Sequence, residues 1–369
     1  MAISLNYISR DPAASVFASV SSDVGVGLRY LLYFAPALPI LVLPHWAHAA
    51  SFQNAMQPAG IQAEKILDLW WLTLGICTVV FIAVLAAFLY AVWRAPRANE
   101  QTGADISPLR SVEPLSKRAV LLAVAASTVL LFVLLIADVM TDRALAQLPL
   151  GDGIHIELTG HRWWWEARYT ADPPSRMFNT ANELHIPVGK PVVISLKSSD
   201  VIHSFWVPNL HGKKDLIPGR TTTITLRADK PGIYRGQCAE FCGYQHAKMA
   251  LLVIAEPEAE YEAWAEQQRQ SAAQPTTEPA IAGQQIFLGT TCISCHTVQG
   301  TPAQASLGPD LTHIASRQTI AAGTLPNTRA HLTAWVKDPQ KIKLMANMPS
   351  SPLSGDELQA VIAYLETLK

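Results

Sequence analysis

The sequence predicts a multi-domain membrane protein: a two-helix transmembrane hairpin, then an all-β domain, then a small all-α domain. Three observations predict it. Two long uncharged apolar runs occur in succession, a series of short alternating strands follows, and apolar residues at helical spacing close the chain. Composition agrees, because only 15% of the 369 residues are charged and mean hydropathy is positive. A formal net charge of -1 gives no basis for a nucleic-acid partner.

Residues 1–49 read as a signal peptide region. The run YLLYFAPALPILVLPHWAHA follows Arg29 and ends in Ala47, His48 and Ala49, the small-residue spacing of a cleavage site after Ala49. Pro36, Pro39 and Pro44 disfavour a regular buried helix there. The hairpin is expected over 50–138, with spans at about 69–93 and 119–137. Each run is long enough, at 1.5 Å per residue, to cross an apolar layer roughly 30 Å thick. Between them Arg94, Arg97, Arg110, Lys117 and Arg118 outnumber Glu100, Asp105 and Glu113, which predicts a cytoplasmic loop and an exported C-terminal part. Trp70, Trp71, Tyr90 and Trp93 suit the lipid–water interface, and Cys77 is a space-filling residue of the first run.

The all-β domain is expected over 139–257. IHIELTG, RWWWEARY, ELHIPVG, PVVISLKSS, HSFWVPN, TTTITLR, GIYRGQC and MALLVI are separated by turn residues, as in an antiparallel sandwich or barrel. A short helix and a flexible linker follow over 258–281, since SAAQPTTEPA (271–280) offers little to bury. The all-α domain takes 282–369. Its last helix begins at a capping box, Ser354 with Glu357, ahead of Leu358, Val361, Ile362 and Leu365. A covalently held cofactor would supply apolar interior that so small a domain lacks.

Two constellations carry chemistry. CAEFCGYQHAKM offers Cys238, Cys242, His246 and Met249, and DVIHSFWVPN adds His203 from another strand. Thiolates, a thioether and imidazoles select copper over hard cations. Two cysteines allow both sulfurs to bridge two copper ions, with one histidine terminating each and Met249 as a weak axial donor. A structural zinc site has other spacings and no use for Met249, and a disulfide is the remaining alternative. His155, His161, His185 and His211 read as surface or hydrogen-bonding residues. TCISCH (291–296) is a c-type haem attachment motif: Cys292 and Cys295 for the thioethers, His296 for the iron. A redox CxxC would not require the histidine. Met345 and Met348 are the candidates for the opposite axial position, Met345 being read as a core residue.

On these residues the chain resembles subunit II of haem-copper cytochrome c oxidases, from roughly 60 to 256, with a class I cytochrome c domain fused after it. The resemblance implies a cupredoxin domain holding a binuclear Cu-A centre on His203, Cys238, the Glu240 carbonyl, Cys242, His246 and Met249. It implies that the Glu240 side chain helps hold magnesium at the junction with subunit I. Trp163, in GHRWWWEARY, matches the family's exposed tryptophan where electrons enter, although Arg162 and Trp164 depart from the usual Gln and Tyr. Asp215 and Arg220 are expected at the subunit I contact, and Glu64 or Asp68 at the mouth of a proton channel. In the haem domain the resemblance favours Met348 as the axial ligand and Pro309, in LGPDL, as acceptor of the His296 ring hydrogen.

The implied function is electron relay from a cytochrome donor through haem c and Cu-A to subunit I. There oxygen is reduced to water with proton pumping. The implied partners are subunits I and III, cytochrome c or another donor, and the lipid bilayer, in a bacterial inner membrane with both redox domains periplasmic. The same centres would also serve a Cu-A-containing nitric oxide reductase. A copper-delivery protein would not need the haem domain, and a purely structural subunit would not need the intact ligand set.

Overall fold

A computed structural model describes residues 53–95, 103, 114–146 and 153–369. The expected signal region and most of the charged loop between the apolar runs lie outside the described residues. Helix α1 (Ile61–Arg94) and helix α2 (Pro114–Ala146) extend beyond the predicted spans at both ends. Their faces stay open among the described residues, with Phe81, Val79 and Leu122 exposed, as two helices long and apolar enough to cross a membrane would be without their lipid. Cys77 is likewise exposed rather than filling an interior.

The start of α1 is fastened to the β domain. Ala63 N donates to Leu210 O at 3.2 Å, Ala59 N to Asn209 O at 2.8 Å, and Gln62 Nε2 to Thr225 O at 3.3 Å. Gly60 is required there, because a Cβ would sit 2.3 Å from Arg227 O.

Ten strands form two five-stranded sheets. The first has the order β3-β2-β1-β5-β8, with β1 Ile154–His161, β2 Trp164–Thr170, β3 Phe178–Ala181, β5 Val192–Ser198 and β8 Thr222–Leu226. The second has the order β4-β10-β9-β6-β7, with β4 Glu183–Pro187, β6 His203–Trp206, β7 Lys214–Leu216, β9 Gly232–Cys238 and β10 Ala250–Glu256. Between them lie Ile156, Leu158, Trp165, Ile194, Phe205, Leu251 and Val253. The alternation of buried and open residues along β1 and β5 is what the sequence period of two demands. The sandwich is mixed rather than antiparallel: β1 pairs with β5, and β10 with β4, in parallel register. These partners are joined by crossovers instead of hairpins, a feature that local turn signals do not encode.

Helix α3 (Glu258–Gln268) packs Trp264 edge-on to Tyr169 and Phe178 and leads out of the sandwich. The segment expected as a flexible linker is anchored instead. Ala272 is buried in the core of the helical lobe, its N donates to Gln299 O at 3.0 Å, and residues from Glu278 onward already belong to helix α4 (Glu278–Gly289). Composition misjudged this stretch because it is held by its backbone. Helix α5 (Arg329–Lys337), the single turn α6 (Pro339–Ile342) and helix α7 (Gly355–Leu365) complete the lobe, with a two-residue hairpin of β11 (Thr319–Ile320) and β12 (Leu325–Pro326). The Ser354–Glu357 capping box opens α7 with both of its hydrogen bonds. Helices α4 and α7 cross at Gly283, where a Cβ would lie 1.9 Å from Ala360 O.

Candidate functional site

Strand β9 ends at Cys238, and the loop that follows returns through a single 3₁₀ turn, His246–Lys248, before β10 begins. That return brings four side chains of one loop to a point beside β6, whose first residue is His203. Cys238 Sγ lies 3.7 Å from Cys242 Sγ and 3.8 Å from His203 Nδ1. Cys242 Sγ lies 3.6 Å from His246 Nδ1 and 3.8 Å from Met249 Sδ. The Glu240 carbonyl faces the same centre, 3.1 Å from Cys238 Sγ. All six donors named from the sequence therefore meet in one place. His203, Cys238, Cys242 and Met249 are buried and His246 is partly open.

The donor set fits copper. It offers two thiols, two imidazole nitrogens, a thioether and one neutral oxygen, a soft collection poorly matched to magnesium or calcium. The Cys238 thiol is held far below the ordinary thiol range, first by the hydrogen bond from Cys242, and Cys242 is pushed up by the same partner and by burial. One proton thus leaves the pair readily, and thiolate is the form that binds metal.

Residues around the donors fix their aim. Asp200 Oδ1 accepts from His203 Nε2 at 2.8 Å, which turns Nδ1 toward the sulfurs. Gly160 lies against the other side of that ring, where a Cβ would approach His203 Cδ2 to 2.8 Å. Trp163 Nε1 donates to Cys242 O at 3.0 Å. The sequence singles out neither Asp200 nor Gly160; the only available signal for Asp200 is its place three residues before His203.

Trp163 departs from expectation. It is 6% exposed, not open to solvent: its indole lies in the core of the sandwich against the loop after β9, and the helical lobe reaches its carbonyl. Lys343 Nζ donates to Trp163 O at 2.7 Å, Gln245 Nε2 to Leu344 O at 2.9 Å, and Ala250 N to Ala322 O at 3.0 Å. Glu183, buried on β4, accepts from Gln318 N, Thr319 N and Thr319 Oγ1 at 3.0, 2.8 and 2.9 Å. The other expected histidines are hydrogen-bonded: His185 with Glu256 at 2.8 Å, His161 with Ser199 and Glu166 at 2.8 and 3.2 Å. His211 Nδ1 accepts from Gly212 N at 2.6 Å. Glu64 and Asp68 are exposed one turn apart on α1, while Arg220 is exposed and Asp215 partly so.

In the helical lobe, a 3₁₀ turn over Thr291–Ser294 sets Cys292 and Cys295 on one short arc. Both thiols are free, and His296 N closes the turn onto Cys292 O at 3.0 Å. His296 Nδ1 lies 2.7 Å from Pro309 O, so Nε2 is the nitrogen left for a ligand. Burial holds this imidazole below its ordinary range, in the neutral form that ligates iron. Gly308 lets the loop close on the ring, since a Cβ would come 2.8 Å from His296 Cε1. Ile293, Leu311, Leu325, Trp335 and Leu353 remain only partly covered around the core, an apolar lining that a flat apolar group would complete. Free thiols, an oriented histidine and this lining fit a covalently held haem.

Met348 is half-buried on the loop after α6, and no hydrogen bond links it to the CISCH segment among the described residues. Gln340 holds that loop: its Nε2 donates to Ala346 O and Met348 O at 2.8 and 2.7 Å, and its Oε1 accepts from Met345 N at 2.8 Å. Met345 is not a core residue. It is 60% exposed with φ 67, because the tight turn that Gln340 stabilises points it outward.

Comparisons with known proteins agree with this architecture. Residues 170–256 match the family model described as cytochrome c oxidase subunit II, periplasmic domain, and residues 280–369 that described as cytochrome c. The chain is 36% identical over 326 residues to a cytochrome c oxidase subunit 2 of Alkalihalophilus pseudofirmus, covering 86% of this chain and 91% of the relative. It is 29% identical over 336 residues to the subunit 2 of Bacillus subtilis, covering 86% and 92%. The crystal structure of the periplasmic domain of subunit II of cytochrome oxidase of Bradyrhizobium japonicum aligns at 30% identity with a TM-score of 0.31, covering 33% of this chain and 97% of that one.

Proposed function

Because the chain belongs to the cytochrome c oxidase subunit II family, we propose that it is the electron-input subunit of a terminal oxidase, relaying electrons from a respiratory cytochrome donor through haem c and Cu-A to subunit I for oxygen reduction coupled to proton pumping. The observation that carries this reading is the convergence of His203, Cys238, Glu240 O, Cys242, His246 and Met249 on one buried point, with neighbouring donors 3.1 to 3.8 Å apart. Bound there and on the CISCH turn, copper and haem iron supply one-electron chemistry that no amino-acid side chain of this set supplies alone.

The protein's own part is positioning. Asp200 and Gly160 fix the His203 ring, and the Trp163 indole ties β2's approach to the Cys242 backbone. Pro309 and Gly308 fix His296; a haem would be held by His296 and Met348 at its iron and by Cys292 and Cys295 through thioethers. The half-buried Glu240 side chain would share magnesium with subunit I, and subunit III would complete the complex. The hairpin over 50–138 anchors the subunit, the domain over 139–257 carries copper and that over 282–369 carries haem, both facing the periplasm.

Purifying the complex from membranes tests the reading. Two copper atoms assigned to this subunit, one haem c, and oxygen uptake with a reduced cytochrome donor are expected. A complex whose subunit II holds no copper when the six donors are intact would refute it.

A further inference from the structure

We propose that Lys343 is the positioning residue that seats the haem-binding lobe on the copper-binding loop, by bridging one carbonyl from each lobe. Its side chain is 3% exposed, and Nζ donates to Trp163 O at 2.7 Å and to Ala321 O at 3.0 Å. Trp163 belongs to the sandwich and Ala321 to the β11–β12 turn of the helical lobe, so a single amine nitrogen holds both.

A lysine is an expensive choice for such a place. Among the described residues no carboxylate pairs with it; of its charged neighbours Lys248 opposes its charge and the Cys242 thiolate favours it. Burying an unpaired charge opposes stability, and its best-attested return is a fixed orientation between the parts it joins. The acceptors suit that role. Trp163 O sits on the residue whose indole donates to Cys242 O, so the bridge sets the helical lobe directly against the backbone of a copper-donor residue. Ala321 and Ala322 hold left-handed conformations, with φ 54 and 57, and Ala322 O receives Ala250 N at the start of β10. Gly323, φ 70, lies against Ala250, where a Cβ would come within 2.9 Å of the alanine methyl. The strained turn is thus gripped from one side by β10 and from the other by Lys343. Gln245 and Lys248 add bonds to Leu344 O and Ile342 O, the carbonyls flanking Lys343 itself.

The seating stands on these contacts alone; its consequence for electron transfer rests on the relay proposed above. The test is hydrogen exchange on the purified holo-complex carrying Lys343→Met, which keeps the length and removes the donors. Amides bonded across the interface, Ala250 to Ala322 O and Gln318 and Thr319 to Glu183, are expected to exchange about tenfold faster, as for loss of donors to buried carbonyls. The α7 amides of Leu358 and Ile362 should not change. Unchanged exchange at the interface amides overturns the proposal. If α7 also loosens, Lys343→Arg decides: restored interface protection supports the bridge, and none overturns it. In the same complex, haem-to-copper transfer should slow while haem reduction by an external donor is unaffected. Faster interface exchange with unaltered transfer would leave the seating intact and sink its consequence for transfer, whereas a parent complex with no haem-to-copper transfer would sink the relay itself.

Discussion

Replacing Asp200 with asparagine removes the charge behind a copper donor while keeping its shape. The carboxylate accepts from His203 Nε2 at 2.8 Å, Val201 N at 2.6 Å and Arg162 N at 2.7 Å, and pairs with Arg162 Nε at 3.6 Å. Burial alone would raise its carboxyl, yet these hydrogen bonds together hold it below the usual range, so the group stands ionised behind the ring. An amide has one acceptor oxygen, and its NH2 would face backbone donors that need acceptors. His203 is fully buried, so its ring has no water to replace the lost partner. Outer partners of this kind are worth roughly 10- to 100-fold in metal affinity, or about 1.4–2.7 kcal/mol. The assay is a chelator competition on the detergent-solubilised chain, following copper–thiolate absorption, with Asp200→Ala as the larger lesion. Copper retention by the asparagine variant within twofold of the parent would refute the claim that Asp200 aims His203.

Three further outcomes are expected. Gly308→Ala should push the His296 ring off Pro309 O, because the new methyl starts 2.8 Å from Cε1; the haem spectrum and midpoint potential would both shift, and unaltered values would contradict the contact. Gly283→Ala should separate α4 from α7, since a Cβ 1.9 Å from Ala360 O has no flexible side chain to displace; overpacking costs about 1–3 kcal/mol, read as a drop of at least about 4 °C in the melting of the helical lobe. His211 is lowered by burial, then by Lys214, from 6.5 to about 4. A folded pKa below the unfolded one means its contribution is complete above pH 6.5 and is lost as pH falls through 6.5 toward 4. The total is at most about 3 kcal/mol, so His211→Gln should flatten the fall in melting temperature across that window.

Legibility followed the range of each interaction. Strands such as β5 and β8 were readable because alternation is local, and the copper loop because four donors fall within twelve residues. The parallel pairing of β1 with β5 was not, since it depends on a crossover. Strand β3 is four residues long and β7 three, too short to show a period, and β7 lies in a stretch that reads as a loop. Asp200 is meaningful only once β6 has brought His203 to the cysteines. Gln340 likewise acts on Met348 eight residues away through backbone carbonyls that no motif records.

The interface between the lobes was hidden for a sharper reason. Most of its acceptors are main-chain oxygens, those of Trp163, Lys248, Ala322, Ile342 and Leu344, and a carbonyl carries no residue identity. Among the described residues Glu183, Gln245, Lys248, Thr319, Thr324 and Lys343 commit side chains to it, and each reads in the sequence as an ordinary polar residue. The expectation that Trp163 is exposed came from the family resemblance alone. Here the indole is buried in the core of the sandwich, with Nε1 on Cys242 O, and the helical lobe holds the Trp163 carbonyl through Lys343. Large exposed apolar side chains stand on both lobes: Leu307, beside the Gly308–Pro309 loop that orients His296, and Phe241 and Tyr244 on the loop between Cys238 and His246.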